Sequence, residues 1–142
     1  MTYDTGNSHG GSVSGDTKVR NFSNQRQSVG SNITYTARTT TAGDFFTVNA
    51  NGIYAITYTD SRSAGVDTVG ITINSSATST NMSTPLTYAQ GMRAIGNGSS
   101  GNGSFVHWTG FLSSGDVIRA QDDGTSDSTN SFCMITIAQV SS

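Results

Sequence analysis

The sequence predicts an all-β sandwich, on the strength of its residue inventory, its alternation and its turns. The 142 residues contain no Glu, a single Lys (Lys18) and a single Pro (Pro85), so the straight-chain helix formers are scarce. Thr, Val, Ile, Tyr and Phe recur instead, residues that suit a pleated surface. Apolar side chains alternate with polar ones in short runs, and clusters of Gly, Asn and Ser punctuate those runs at regular spacing. Charged residues are only 11% of the chain, against a usual share of about 25%. The formal net charge of −2 is too small for the high-charge signature of disorder. It also leaves little repulsion to keep copies apart. A chain of this size forms one domain able to bury its own core.

Residues 1–16 read as a polar N-terminal arm, with Tyr3 and Val13 the main apolar side chains after Met1. An arm so poor in apolar residues needs a partner surface to become ordered. Tyr3, Asp4, His9 and Val13 are its candidate docking residues. Residues 17–142 read as the folded domain. Lys18–Phe22 and Ser31–Ala37 alternate as short strands. Asp44–Asp60 reads as two strands joined by a tight turn, because Asn51-Gly52 sits between alternating segments and both residues tolerate positive φ. Its second strand is apolar or β-branched on both faces, which predicts a core on one side and a covering surface on the other.

Val66–Asn74 alternates with Val69, Ile71 and Ile73 in register, and Asn74–Thr84 is a polar loop. Pro85–Ile95 is the one segment with helical potential, although strand or irregular structure fits it better. Gly96–Gly103 is a flexible tip. Phe105–Leu112 is bulky on both faces, with Phe105, His107 and Phe111 on one and Val106, Trp108 and Leu112 on the other. Ser114-Gly115-Asp116 turns into Val117–Ala120, Asp122–Asn130 is a polar loop, and Phe132–Val140 closes the chain as another two-faced strand. Two antiparallel sheets of about eight to ten strands follow, in a sandwich or jelly roll.

At the level of motifs, the series Phe46-x-Val48-x-x-x-Gly52-x-Tyr54-x-Ile56, then Gly110-Phe111-Leu112-x-x-Gly115-Asp116-x-Ile118, then an apolar final strand resembles the C1q/TNF-like jelly roll. The match is nearest to the Thr/Ser-rich versions in bacteriophage structural proteins and spans Lys18 to Val140. The resemblance implies a homotrimer with one sheet of each subunit facing the three-fold axis, and a binding or structural role. Tyr54, Tyr58, Phe105, Trp108 and Phe132 are the residues expected at that trimer interface. No collagen-like Gly-X-Y stalk precedes the domain. The chain opens on Met and reaches its first strand at Lys18, which reads as a complete small product and not as the tip of a long fibre.

Catalytic constellations are poorly supported. A Ser/His/Asp arrangement needs His beside a nucleophile and an acid, yet His9 falls in the arm and His107 in an aromatic strand. No Gly-x-Ser-x-Gly elbow occurs, and most Asp residues sit at turns and strand ends, where Asx-turns account for them. Two His and one Cys, far apart, make no zinc spacing. Asp122, Asp123 and Asp127 offer oxygen ligands of the kind Ca²⁺ takes, which some C1q-like domains bind at loops. They lack the regular spacing of a calcium loop, and a solvated acidic loop is the plainer reading. No cofactor is expected. A pI near 5.4 and six scattered arginines argue against nucleic acid. No apolar run reaches the ~20 residues of a membrane helix.

The expected role is therefore a homotrimeric capsid decoration or cement protein of a bacteriophage virion, docked on a capsid or other virion protein through its arm. The alternative is a receptor-binding or adhesin module that recognises a bacterial surface glycan. Its loops, with Asn97, Asn102, Asp122, Asp123 and Asp127 as candidate contacts, would then carry recognition.

Overall fold

The computed structural model describes residues 1–4, 19–20, 22, 24–37, 44–61, 68–75, 87–97, 104–121 and 132–142. Among these residues lie ten strands: β1 (Thr2–Asp4), β2 (Asn24–Gln27), β3 (Ile33–Thr36), β4 (Phe45–Val48), β5 (Gly52–Ser61), β6 (Thr68–Ile73), β7 (Met92–Asn97), β8 (Ser104–Leu112), β9 (Val117–Gln121) and β10 (Phe132–Ser141). They form two five-stranded antiparallel sheets, ordered β2-β1-β10-β5-β8 and β3-β4-β9-β6-β7. This is the all-β jelly-roll sandwich that the alternation predicts. Of the segment Pro85–Ile95, the described residues form a single 3₁₀ turn, Tyr88–Gln90, and, after Gly91, the start of β7.

The two-residue side-chain period sorts each strand into an inner and an outer face. In β5 the inner residues Tyr54, Ile56 and Tyr58 are fully buried, while Ile53 is exposed and Ala55 and Thr57 are half-buried. In β10, Cys133, Ile135 and Ile137 face the core. Phe46, Val48, Val69, Ile71 and Ile118 complete it from the opposing sheet, with Phe22 from the chain ahead of β2.

Two expectations need correction. Asp44–Asp60 is not a hairpin: β4 pairs with β3 and β9, whereas β5 pairs with β10 and β8 in the other sheet. Asn49–Asn51 is instead the corner where the chain crosses from one sheet to the other. Both Phe46 and Tyr54 face the core, and only a crossing lets consecutive strands oppose those faces. The asparagines hold this corner to its neighbours. Asn49 Nδ2 donates to Ser31 O at 2.6 Å and to Thr34 Oγ1 at 2.8 Å, and Asn51 Oδ1 accepts from Ser114 N at 2.8 Å.

The sandwich also begins earlier than residue 17. Thr2–Asp4 pair on both sides, with β10 and with β2, and Tyr3 is buried against Tyr35 and Phe46. Its hydroxyl donates to Gln25 Oε1 at 2.7 Å. Tyr3 therefore belongs to the core and not to a docking arm, and Asp4 stands in the same strand. His9 and Val13 lie outside the described residues.

Candidate functional site

The outer face of the β10-β5-β8 sheet is the surface that calls for a partner. Strand register places Ile53 opposite Phe111, Ala55 opposite Thr109, Thr57 opposite His107 and Thr59 opposite Phe105, all pointing away from the core. On the other side of β5, Thr57 meets Thr136 and Ala55 meets Ala138. Phe105 is 61% exposed, Phe111 63% and Ile53 41%, and Val140 at 58% extends the apolar surface along β10. Large aromatic side chains held outward by a sheet make this face the candidate interaction surface. β5, β8 and β10 carry one fully charged residue, Asp60, and it points inward.

His107 lies at the centre of this face, between two threonines. Its Nδ1 is 3.1 Å from Thr57 Oγ1 and its Nε2 is 2.9 Å from Thr109 Oγ1. A hydroxyl either donates or accepts, so the imidazole is oriented by neutral partners on both sides. The two contacts hold the ring at both nitrogens, on the strand that carries Phe105 and Phe111.

The interface residues expected from the sequence divide sharply. Phe105 is on the outer face. Tyr54 and Tyr58 are not: both are fully buried inside the sandwich, so they are unavailable to a neighbouring subunit. Tyr54 donates its hydroxyl to Ala50 O at 2.8 Å, and burial raises the pKa of Tyr3 and Tyr54 above the ordinary tyrosine value. Trp108 turns to the inner side, half-buried on the core, with its ring lying across Gly110. A Cβ at Gly110 would stand 2.3 Å from that ring. Phe132 opens β10, and its side chain lies outside the described residues.

Tyr58 belongs to a buried polar cluster that the alternation did not reveal. Its hydroxyl donates to Asp60 Oδ2 at 2.6 Å, the Arg20 guanidinium donates to the same oxygen, and the Cys133 thiol donates to Oδ1 at 2.8 Å. Arg20 and Asp60 are 1% and 0% exposed. Val19 bridges to Gln121 on the opposing sheet, and Arg20 N donates to Ala120 O at 2.8 Å, so this ion pair cross-links the two sheets. Its sealed position gives it a structural task.

Of the loop candidates, Asn97 ends β7 opposite Thr68. Asn102, Asp122, Asp123 and Asp127 lie outside the described residues, and with them the acidic loop considered for Ca²⁺. Among the described residues no group of three or more His, Cys, Asp or Glu side chains is placed to hold a metal ion. An aromatic platform that the sequence did not single out stands at the 3₁₀ turn ahead of β7. Tyr88 is 75% exposed, and the Arg93 guanidinium lies 4.2 Å from its ring centroid.

No protein-family model and no curated protein matches the chain. Solved structures do. Murine APRIL at pH 5.0 superposes with a TM-score of 0.56 over 94% of this chain and 95% of its own, at 11% identity. Murine APRIL at pH 8.5 gives 0.57 over 95% and 97%, at 12% identity. At such identity the likeness is one of fold, and the fold is a TNF-like jelly roll.

Proposed function

We propose that the chain is a non-enzymatic, self-associating TNF-like module, a homotrimer whose subunits bury the Phe105–Phe111–Ile53 face. The observation that carries this reading is that face: broad, aromatic and without a fully charged residue, on an otherwise polar chain. Covering it removes apolar area from water at about 25 cal/mol per Å². Its test is the oligomeric state. Wild type sediments as a trimer, and Phe105→Ser/Phe111→Ser sediments as a folded monomer, since neither ring supports the core. A double variant that stays trimeric at high dilution removes the face from the interface.

The finer role we propose is structural, as a capsid decoration protein of a bacteriophage virion attached through the residues that follow β1. The support is the sequence resemblance and the polar character of residues 5–16. Three attachment points on one trimer add by avidity, so each can be weak. Replacing residues 5–16 by a Gly/Ser linker of equal length keeps β1 in place; it should leave a folded trimer that no longer associates with capsids. Retained association refutes the arm as the attachment. A second reading, glycan recognition, is favoured by Tyr88, whose exposed ring offers a sugar a flat face backed by a guanidinium. A glycan screen of wild type and Tyr88→Ala separates the two.

A further inference from the structure

Histidine is the side chain whose charge ordinarily changes between about pH 5 and 8, and the aromatic face carries one at its middle. His107 is exposed in the single subunit, between Phe105 and Phe111 on the outer side of β8. Both ring nitrogens lie within hydrogen-bond distance of a threonine hydroxyl, Thr57 at 3.1 Å and Thr109 at 2.9 Å. A neutral imidazole has one donor and one acceptor, so one hydroxyl accepts from the ring and the other donates to it. An imidazolium has two donors. The hydroxyl that had donated must then turn its proton elsewhere, which costs little beside water but leaves an unpaired donor beneath a covering subunit.

Among the described residues no carboxylate faces the ring. Its neighbours on β8 and β5 are Phe105, Thr109, Ala55, Thr57 and Thr59, none of them titratable. The ionisable side chains of β5 and β10, Tyr54, Tyr58, Asp60 and Cys133, all face the core, and Asp60 is paired with Arg20. β6 packs against β8 and carries no charged residue. β7 brings Arg93, but in the other sheet and laid over the Tyr88 ring. Asp4 and Arg26 stand on β1 and β2, with β10 and β5 between them and β8.

We propose that His107 is a pH switch on self-association: the chain is assembled at neutral pH, and protonation of this imidazole takes the assembly apart. The proposal rests on the reading above, that copies of the chain cover the aromatic face. A second copy suits that face because neither it nor its copy carries a fully charged residue, and a net charge of −2 sets little repulsion between subunits. Covering the face takes the ring out of water, where a charge without a counter-ion is costly, so the assembled form holds it neutral. The assembly therefore binds fewer protons than its separated subunits. By linkage it is strongest above the imidazole range and is lost as pH falls through that range. With one His107 in each subunit, the trimer dissociation constant rises by up to about a thousandfold per pH unit of that fall, about tenfold for each of three rings.

The experiment is analytical ultracentrifugation of the full chain over a dilution series at about pH 7.5 and about pH 5.5, at one ionic strength, with circular dichroism in the same buffers. The readout is the ratio of trimer dissociation constants at the two pH values, which cancels any effect of a substitution on assembly itself. His107→Gln keeps a donor and an acceptor for the two threonines and takes up no proton in this range. His107→Leu serves as the second variant where glutamine itself weakens assembly. The ratio should exceed about a hundredfold in wild type and stay within about threefold in the variants, with the fold intact throughout. A wild-type ratio near one overturns the switch and leaves the assembly reading standing. A large ratio that persists in both variants assigns the effect to another group and overturns the switch, as does loss of the fold at the lower pH. A wild type that is monomeric at the higher pH overturns the assembly reading and the switch together.

Discussion

Replacing Asp60 by Ala tests the buried ion pair that ties the two sheets together. The substitution leaves the Arg20 guanidinium at 1% exposure without its carboxylate, and withdraws the acceptor to which the Tyr58 hydroxyl and the Cys133 thiol donate. Breaking a buried ion pair from one side costs about 3–5 kcal/mol. Loss of the Tyr58 bond adds about 1–3 kcal/mol where the hydroxyl finds no substitute. Against a total stability of about 5–15 kcal/mol, the variant should unfold near or below ordinary working temperature. At roughly 4 °C per kcal/mol for a chain this size, the ion-pair loss alone lowers Tm by about 12–20 °C. The assay is thermal and guanidinium unfolding followed by circular dichroism at one fixed protein concentration, because self-association would otherwise shift the midpoint. The diagnostic partner is Arg20→Met/Asp60→Leu/Tyr58→Phe, which removes the buried charge with its partners and should recover most of the loss. An Asp60→Ala variant within about 1 kcal/mol of wild type refutes the reasoning, as does a triple variant no more stable than the single one.

Alkaline pH should destabilise the chain through Tyr3 and Tyr54. Burial raises both pKa values above 10, so the neutral phenols stabilise the fold fully below pH 10 and that contribution is lost as pH rises through their folded values. Chemical denaturation midpoints should be flat with respect to these groups between pH 7 and about 9 and fall above about 10; Tyr54→Phe should weaken that fall. Gly91 has φ +100°, and a Cβ there would stand 2.6 Å from Ile73 O, so Gly91→Ala should lower stability by more than about 1 kcal/mol, measured by the same unfolding curves. Gly115→Ala, with a similar φ but nothing within 4 Å, should cost less.

The sheets were legible where side chains alternate over a long run. β8 and β10 could be split into faces from the sequence, and Phe105, His107 and Phe111 do share the outer one. Short polar strands carried no such signal. β1 and β2 take their order from neighbours, since Tyr3 becomes a core residue only once β10 and β2 flank it. The Asn51-Gly52 signal reports a backbone that bends, and the same bend serves a return to the same sheet or a crossing to the other; pairing partners far along the chain decide which. Tyr54 and Tyr58 read as interface residues because a strand bulky on both faces does not say which face is inside. The deciding fact for Tyr58 is Arg20, thirty-eight residues away in sequence.

The placement of β1 also orders events in time. Thr2 pairs with Thr136, so the first strand of the chain cannot be built into its sheet until the last strand exists. Closure of the β2-β1-β10-β5-β8 sheet therefore waits on β10. Non-local pairings of that kind put folding on the millisecond-to-second scale. During that interval the long edges of β5 and β10 stand unpaired, and they are the segments that a crowded cell must keep from pairing with the wrong chain.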